Sequence, residues 1–276
     1  MTAPRTIAAL AAALAAGLIT WLLVGAGNVV PGGGASAAPG GLVSRRMTYR
    51  FGWEGLPGGE VALTVKPAVL GERRAWWVSY EAQSGPALRP VGAFRASGWS
   101  LVGADRLRPL RSRSTTWRRD SRKERTARFD YQAGVAVVTE HEYPEDETER
   151  LEVPLNGHLD PASLLLRAAA GRLPARALML VGDDQYELTC RGEDTENVAA
   201  PGGWRQARRW ALTVRDAEPD ADEQGEHGGR LWLSRAGGVP LRLEADLLVG
   251  RLTVRLVSAE RITPGGADRP ERARTP

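Results

Sequence analysis

A single cysteine, Cys190, stands in 276 residues, so no disulfide can form within the chain and the fold must be held by core burial. In its apolar-alternating surroundings it reads as a small buried strand residue. Histidine is nearly as scarce: His141, His158 and His227 do not share the spacing of metal ligands, which leaves no metal site and no cofactor to assign. No Gly-x-Ser-x-Gly elbow surrounds Ser84, Ser97, Ser163 or Ser234, so no serine nucleophile is marked. Glycine-rich phosphate cradles are missing too. Gly32-Gly33-Gly34 belongs to a linker, and Gly202-Gly203 introduces a strand where a phosphate loop needs a helix. These absences leave catalytic residues unassigned and ligand-binding residues unknown.

Charge is absent from Thr6 to Val24, where Leu, Ile, Ala and Trp21 dominate behind the lone Arg5. This is the layout of a targeting segment. The run is longer than the roughly 7–15 residues of a signal-peptide core and approaches the roughly 20 that span a bilayer. Two outcomes stay open: cleavage near Ala35-x-Ala37, or retention as a single anchor. Residues 1–42 are therefore read as signal peptide or membrane anchor plus linker, 43–262 as the folded domain and 263–276 as a disordered tail. The expected location is periplasmic or extracellular, with attachment to the membrane through the N-terminal segment if it is uncleaved.

What the chain does contain is alternation. Met47, Tyr49, Phe51 and Trp53 share one side of an extended segment, and Leu56-Pro57-Gly58-Gly59 offers a turn before the return strand from Glu60 to Lys66. The pattern recurs over 75–82, 94–102, 109–118, 123–131, 135–140, 177–181, 185–191, 206–215, 230–234, 240–248 and 251–258, the last two joined at Val249-Gly250. One segment departs from it. Asp160 suits a helix N-cap, Pro161 the first turn and Gly171 the exit. The expected fold is all-β: a strongly curved antiparallel sheet or β-barrel-like meander with one short helix. An acidic stretch over 216–229 reads as a loop.

The formal net charge is +4, and its cations crowd between Arg106 and Arg128, with acidic clusters following over 140–152 and 216–226. Such opposite blocks can pair across neighbouring strands. An exported chain seldom meets nucleic acid, so the anions to expect are lipid headgroups or another envelope component. His141 and His227 read as solvated loop residues, and His158 as a hydrogen-bonding partner of the helix cap. Eight tryptophans fall inside the domain and are expected to fill a barrel interior.

Several segments together resemble an exported bacterial family called domain of unknown function 3108. They are Tyr49-x-Phe51-x-Trp53-x-Gly55-Leu56-Pro57-Gly58-Gly59, then Asp160-Pro161-Ala162-Ser163-Leu164-Leu165-Leu166-Arg167, then Pro201-Gly202-Gly203-Trp204-Arg205-Gln206-Ala207, and Leu231-Trp232-Leu233-Ser234 with Val239-Pro240-Leu241. Ser234-Arg235-Ala236-Gly237 departs from the acidic residues that members often carry there. The resemblance implies a secreted, mainly β protein and transfers no catalytic residue. The functional expectation is a non-catalytic envelope protein that binds an apolar or amphiphilic ligand or supports cell-surface maintenance. Two alternatives are an envelope glycan hydrolase using acids such as Asp183 or Glu244, and a scaffold that binds no ligand.

Overall fold

The computed structural model describes residues 42–88, 92–217, 226–247 and 250–262. The N-terminal apolar run and linker, most of the acidic loop, Val249 of the last hairpin and the tail lie outside the described residues. Within them, fourteen strands form one antiparallel sheet with one α-helix. In chain order these are β1 (Arg45–Trp53), β2 (Leu56–Leu70), β3 (Arg73–Ser84), β4 (Arg95–Gly103), β5 (Pro109–Trp117), β6 (Arg122–Asp130), β7 (Val135–Tyr143) and β8 (Glu147–Pro154). Helix α1 (Pro161–Ala169) follows, then β9 (Arg176–Val181), β10 (Asp184–Ala200), β11 (Gly203–Asp216), β12 (His227–Ser234), β13 (Pro240–Leu247) and β14 (Gly250–Arg261).

Every strand pairs with its neighbour in sequence except at one place. β1 pairs with β14 in the middle of the sheet, which leaves β8 and β9 as the two edges. The helix sits in the connection between those edges. Just before it, Leu159 donates its N–H to Leu178 O and accepts from Leu180 N, both at 2.9 Å, so a short stretch of chain covers the free edge of β9. Side chains complete the closure: Leu180 of β9 packs with Phe129 of β6, Ala136 and Val138 of β7 and Val153 of β8. The ends of the sheet thus meet through apolar contact, where a closed barrel would use a hydrogen-bonded ladder.

Helix α1 forms where its caps place it. The Asp160 carboxylate accepts from Ser163 N at 2.8 Å, Pro161 has no N–H in need of an acceptor, and Gly171 takes a φ of 69° at the exit. Its side chains are buried on nearly every face, Leu166 completely. Arg167 is the exception, and it donates to the carbonyls of Leu107 and Arg106 at 3.1 and 2.9 Å. The helix therefore acts as a plug fastened to the loop between β4 and β5. The main core continues through Met47, Tyr49 and Phe51 of β1 and Val61, Leu63 and Val65 of β2. Each fully buried side chain of this size contributes about 1.5–3 kcal/mol.

Three sequence expectations are corrected. The first hairpin turns at Glu54-Gly55, with φ of 48° and 79°, and Leu56 already pairs with Trp53. Gly58 and Gly59 lie inside β2, where a Cβ on either would strike the Phe51 ring; they make room for that ring and do not form the turn. The second correction is β8, which falls in the acidic cluster of 140–152, outside every segment read as a strand: it has few apolar residues and is held by its ladder to β7 and by the burial of Val153. His141 and His227 are likewise strand residues, on β7 and β12.

Candidate functional site

The inner face of the sheet is read directly from its register. Val78, Ser100, Ser112, Ala127 and Val138 lie opposite one another in turn across β3 to β7. The neighbouring row is Tyr80, Gly98, Ser114, Arg125 and Glu140. Gly98 is required there, since a Cβ would come within 2.7 Å of both the Arg113 carbonyl oxygen and the Tyr80 ring. Over these rows lie the start of α1 and the β9–β10 turn, and between them remains a cavity of about 80 Å3. Its polar lining includes Ser100, Ser112, Ser114, Asp160 and Arg125, and its apolar lining includes Val78, Phe129 and Leu180.

Two polar arrangements dominate this region. Ser100 donates its hydroxyl to the fully buried Asp160, whose other oxygen caps the helix. Burial pushes the Asp160 carboxyl above the ordinary aspartate range, although the hydrogen bonds from Ser100 and Ser163 oppose the shift. Farther along, Lys123 and Arg125 converge on Glu140, and Arg125 also reaches Asp183 in the β9–β10 turn at 3.1 Å. Gly182, with a φ of 70°, lets that turn approach: a Cβ would fall 2.9 Å from the Arg125 side chain. This network ties an outer strand pair to the turn that closes the sheet.

The residues singled out in the sequence do not come together. Asp183 is held by Arg125, whereas Glu244 lies on β13 beside Arg242 and Arg230, and neither lines the cavity. His158 is buried, accepts from Asn156 N at 3.3 Å rather than from the helix cap, and is kept neutral by that burial. His141 contacts Asp146 and Thr148. Ser84 bridges to the backbone of Phe94 through both its donor and its acceptor. Cys190 is buried on β10 opposite Leu212, and burial pushes its thiol up to about 12. Among the described residues, no group of three or more His, Cys, Asp or Glu side chains is arranged to hold a metal ion.

Tryptophan supplies the clearest correction. Trp76 of β3 and Trp232 of β12 are buried in the core and Trp53 and Trp210 pack against it, but Trp204 is 75% exposed. Trp77 and Trp99 stack on the outer face at 4.6 Å between ring centroids, and Trp117 lies beneath Arg95 and Arg122. Aliphatic side chains, with Tyr49, Phe51, Tyr80 and Phe94, fill the rest of the interior, because strand alternation gives each tryptophan the face of its position whatever its size. Composition and motifs do not single out Ser100, Ser112, Ser114 or Arg125, although alternation carries a signal for them. Arg125 shares parity with Ala127 and Phe129 on β6, so period two already placed this cation on the apolar face.

The fold is similar to that of a β-barrel-like protein of domain of unknown function DUF1849 from Brucella abortus, with a TM-score of 0.53 and 15% identity over 80% of this chain and 98% of that one. A Bacteroides fragilis protein with a YmcC-like fold aligns at a TM-score of 0.37 and 8% identity, over 79% and 95% of the two chains. The hypothetical lipoprotein YmcC from Escherichia coli aligns at 0.30 and 10%, over 84% and 92%. No curated protein matches the chain. The family model for the protein of unknown function DUF3108 matches residues 46–257, a span that holds all the motifs quoted above, and the chain belongs to that family.

Proposed function

We propose that this is an exported, non-catalytic protein of the cell envelope that supports the cell surface through contacts of its outer face. The observation that carries this reading is the filled interior. The cavity inside the sheet measures about 80 Å3, against roughly 300–1,000 Å3 for sites that enclose a drug-sized ligand. An acyl chain within the sheet would need the aliphatic core to part. The uncharged run from Thr6 to Val24 supports export. For a glycan hydrolase, two carboxylates should face a common cleft; the inner cavity offers only Asp160, engaged by Ser100 and the helix cap, and the two carboxylates of the open cleft at the β1–β2 turn, Glu54 and Asp246, are both engaged by Arg251.

Native mass spectrometry of the full chain recovered from its own membrane fraction tests the reading. A ligand-free mass in an envelope fraction is the expected result. A stoichiometric lipid adduct that survives high salt and detergent washing would place a ligand inside the sheet and overturn the filled-interior reading, and recovery from the cytosol would overturn export.

A further inference from the structure

The outer face of β2 to β7 carries a pattern that neither the core nor the cavity accounts for. Its register sets Lys66, Trp77, Leu101, Arg111, Arg128 and Val137 side by side across six strands. Arg111 and Arg128 are exposed and directly opposite each other, an arrangement that costs stability because like charges face at close range. Among the described residues, neither they nor Lys66 has an ion-pair partner, whereas Glu124 on the same face is taken up by Arg113 and Arg122. Glu152 of β8 ends the row beyond Val137 and sits near Arg150, Glu81 lies two rows away, and Asp130, one row from Arg128 on β6, feels its charge but accepts from Gln132 N and Ala133 N.

Aromatic rings flank these cations. The Trp77–Trp99 stack is only partly buried, and Trp117 lies between Arg95 and Arg122, at 5.5 and 6.0 Å from their guanidinium carbons. Arginine interleaved with tryptophan suits a boundary that is anionic and wet on one side and apolar on the other. We propose that this outer face docks the protein on an anionic lipid surface, with Lys66, Arg111 and Arg128 meeting headgroup phosphates and the Trp77–Trp99 pair meeting the interfacial layer. This deepens the envelope reading and rests on it. A soluble polyanion would satisfy the cations but would leave the stacked indoles without an apolar partner.

The test uses the full chain and vesicles of phosphatidylcholine with and without phosphatidylglycerol. Any contribution of the N-terminal apolar run appears with both compositions, so the increment from phosphatidylglycerol reports the patch. R111E/R128E is expected to weaken that increment more than tenfold, since each arginine near an anionic surface adds about fivefold. High salt should act in the same direction. The control R205E/R235E changes net charge equally and should stay within about twofold of wild type. An unchanged increment in R111E/R128E, or an equal loss in the control, overturns the proposal. So does heparin holding the wild type as tightly as the vesicles and releasing the same variant. Circular dichroism verifies folding, and if the double variant does not fold, R128Q alone should weaken the increment about fivefold. Recovery from the cytosol would refute export while leaving the vesicle result standing.

Discussion

Ser100 of β4 donates its hydroxyl proton to the carboxylate of Asp160 at the head of α1, joining the sheet to the plug that fills its opening. Because Asp160 is fully buried, the contact has an electrostatic consequence. Its folded carboxyl holds its proton to a higher pH than in the unfolded chain, where aspartate titrates near pH 3.9, about its usual value. Stability from this group therefore falls as pH rises from about 4 through the raised folded value. D160N should remove that fall while keeping a good cap, and D160A should lose about 1–2 kcal/mol from the cap alone. Urea denaturation of the three proteins across this range measures both effects; parallel pH profiles for wild type and D160N would contradict the assignment.

Glu140 behaves in the opposite sense. Burial works to raise its carboxyl, but hydrogen bonds from Lys123 and Arg125, with their charges, outweigh burial and hold it below the usual range. Its contribution is present above about pH 4.3 and is lost as pH falls through the depressed folded value. E140Q should cost about 1–3 kcal/mol near neutral pH, because two cations lose a charged partner, and the difference from wild type should vanish in acid. A deficit that persists in acid would point to packing instead.

Leu180 tests how the sheet closes. It is the β9 member of the small cluster that joins β6, β7 and β8, so L180A should cost about 2–5 kcal/mol. Hydrogen exchange should rise first in β8 and β9. Uniform acceleration across all strands would mean that the closure is not a separate contact.

Cys190 should be inert in the native protein. Burial carries its thiol up to about 12, leaving little thiolate at neutral pH. Iodoacetamide should modify it only after denaturant unfolds the sheet, as read by intact mass. Rapid native labelling would mean that β10 opens locally.

The period-two pattern made most of the strands legible, and the caps made the helix so, because both signals are local. Asp160, Pro161 and Gly171 each act within one turn of chain. The first hairpin was less legible: Pro57 and the glycines looked like a turn, but Phe51 needs the space they leave. β8 was hidden because charged residues dominate its sequence; the ladder to β7 and the burial of Val153 make it a strand. The basic block and the acids of 140–152 did pair, through Lys123 and Arg125 to Glu140. Their place on the inner face follows from parity with Ala127 and Phe129, a clue that charge obscures.

By itself the sequence determined which segments extend, which face of each strand is apolar, where the helix begins and ends, and the family to which the chain belongs. The tertiary structure alone decided that β1 lies beside β14, that β8 and β9 remain edges joined by apolar contact, and that Ser100 meets Asp160. Alternation specifies a strand's two faces but not its neighbours; those follow from how a twisted sheet curls around one common core and from where a helix interrupts its closure.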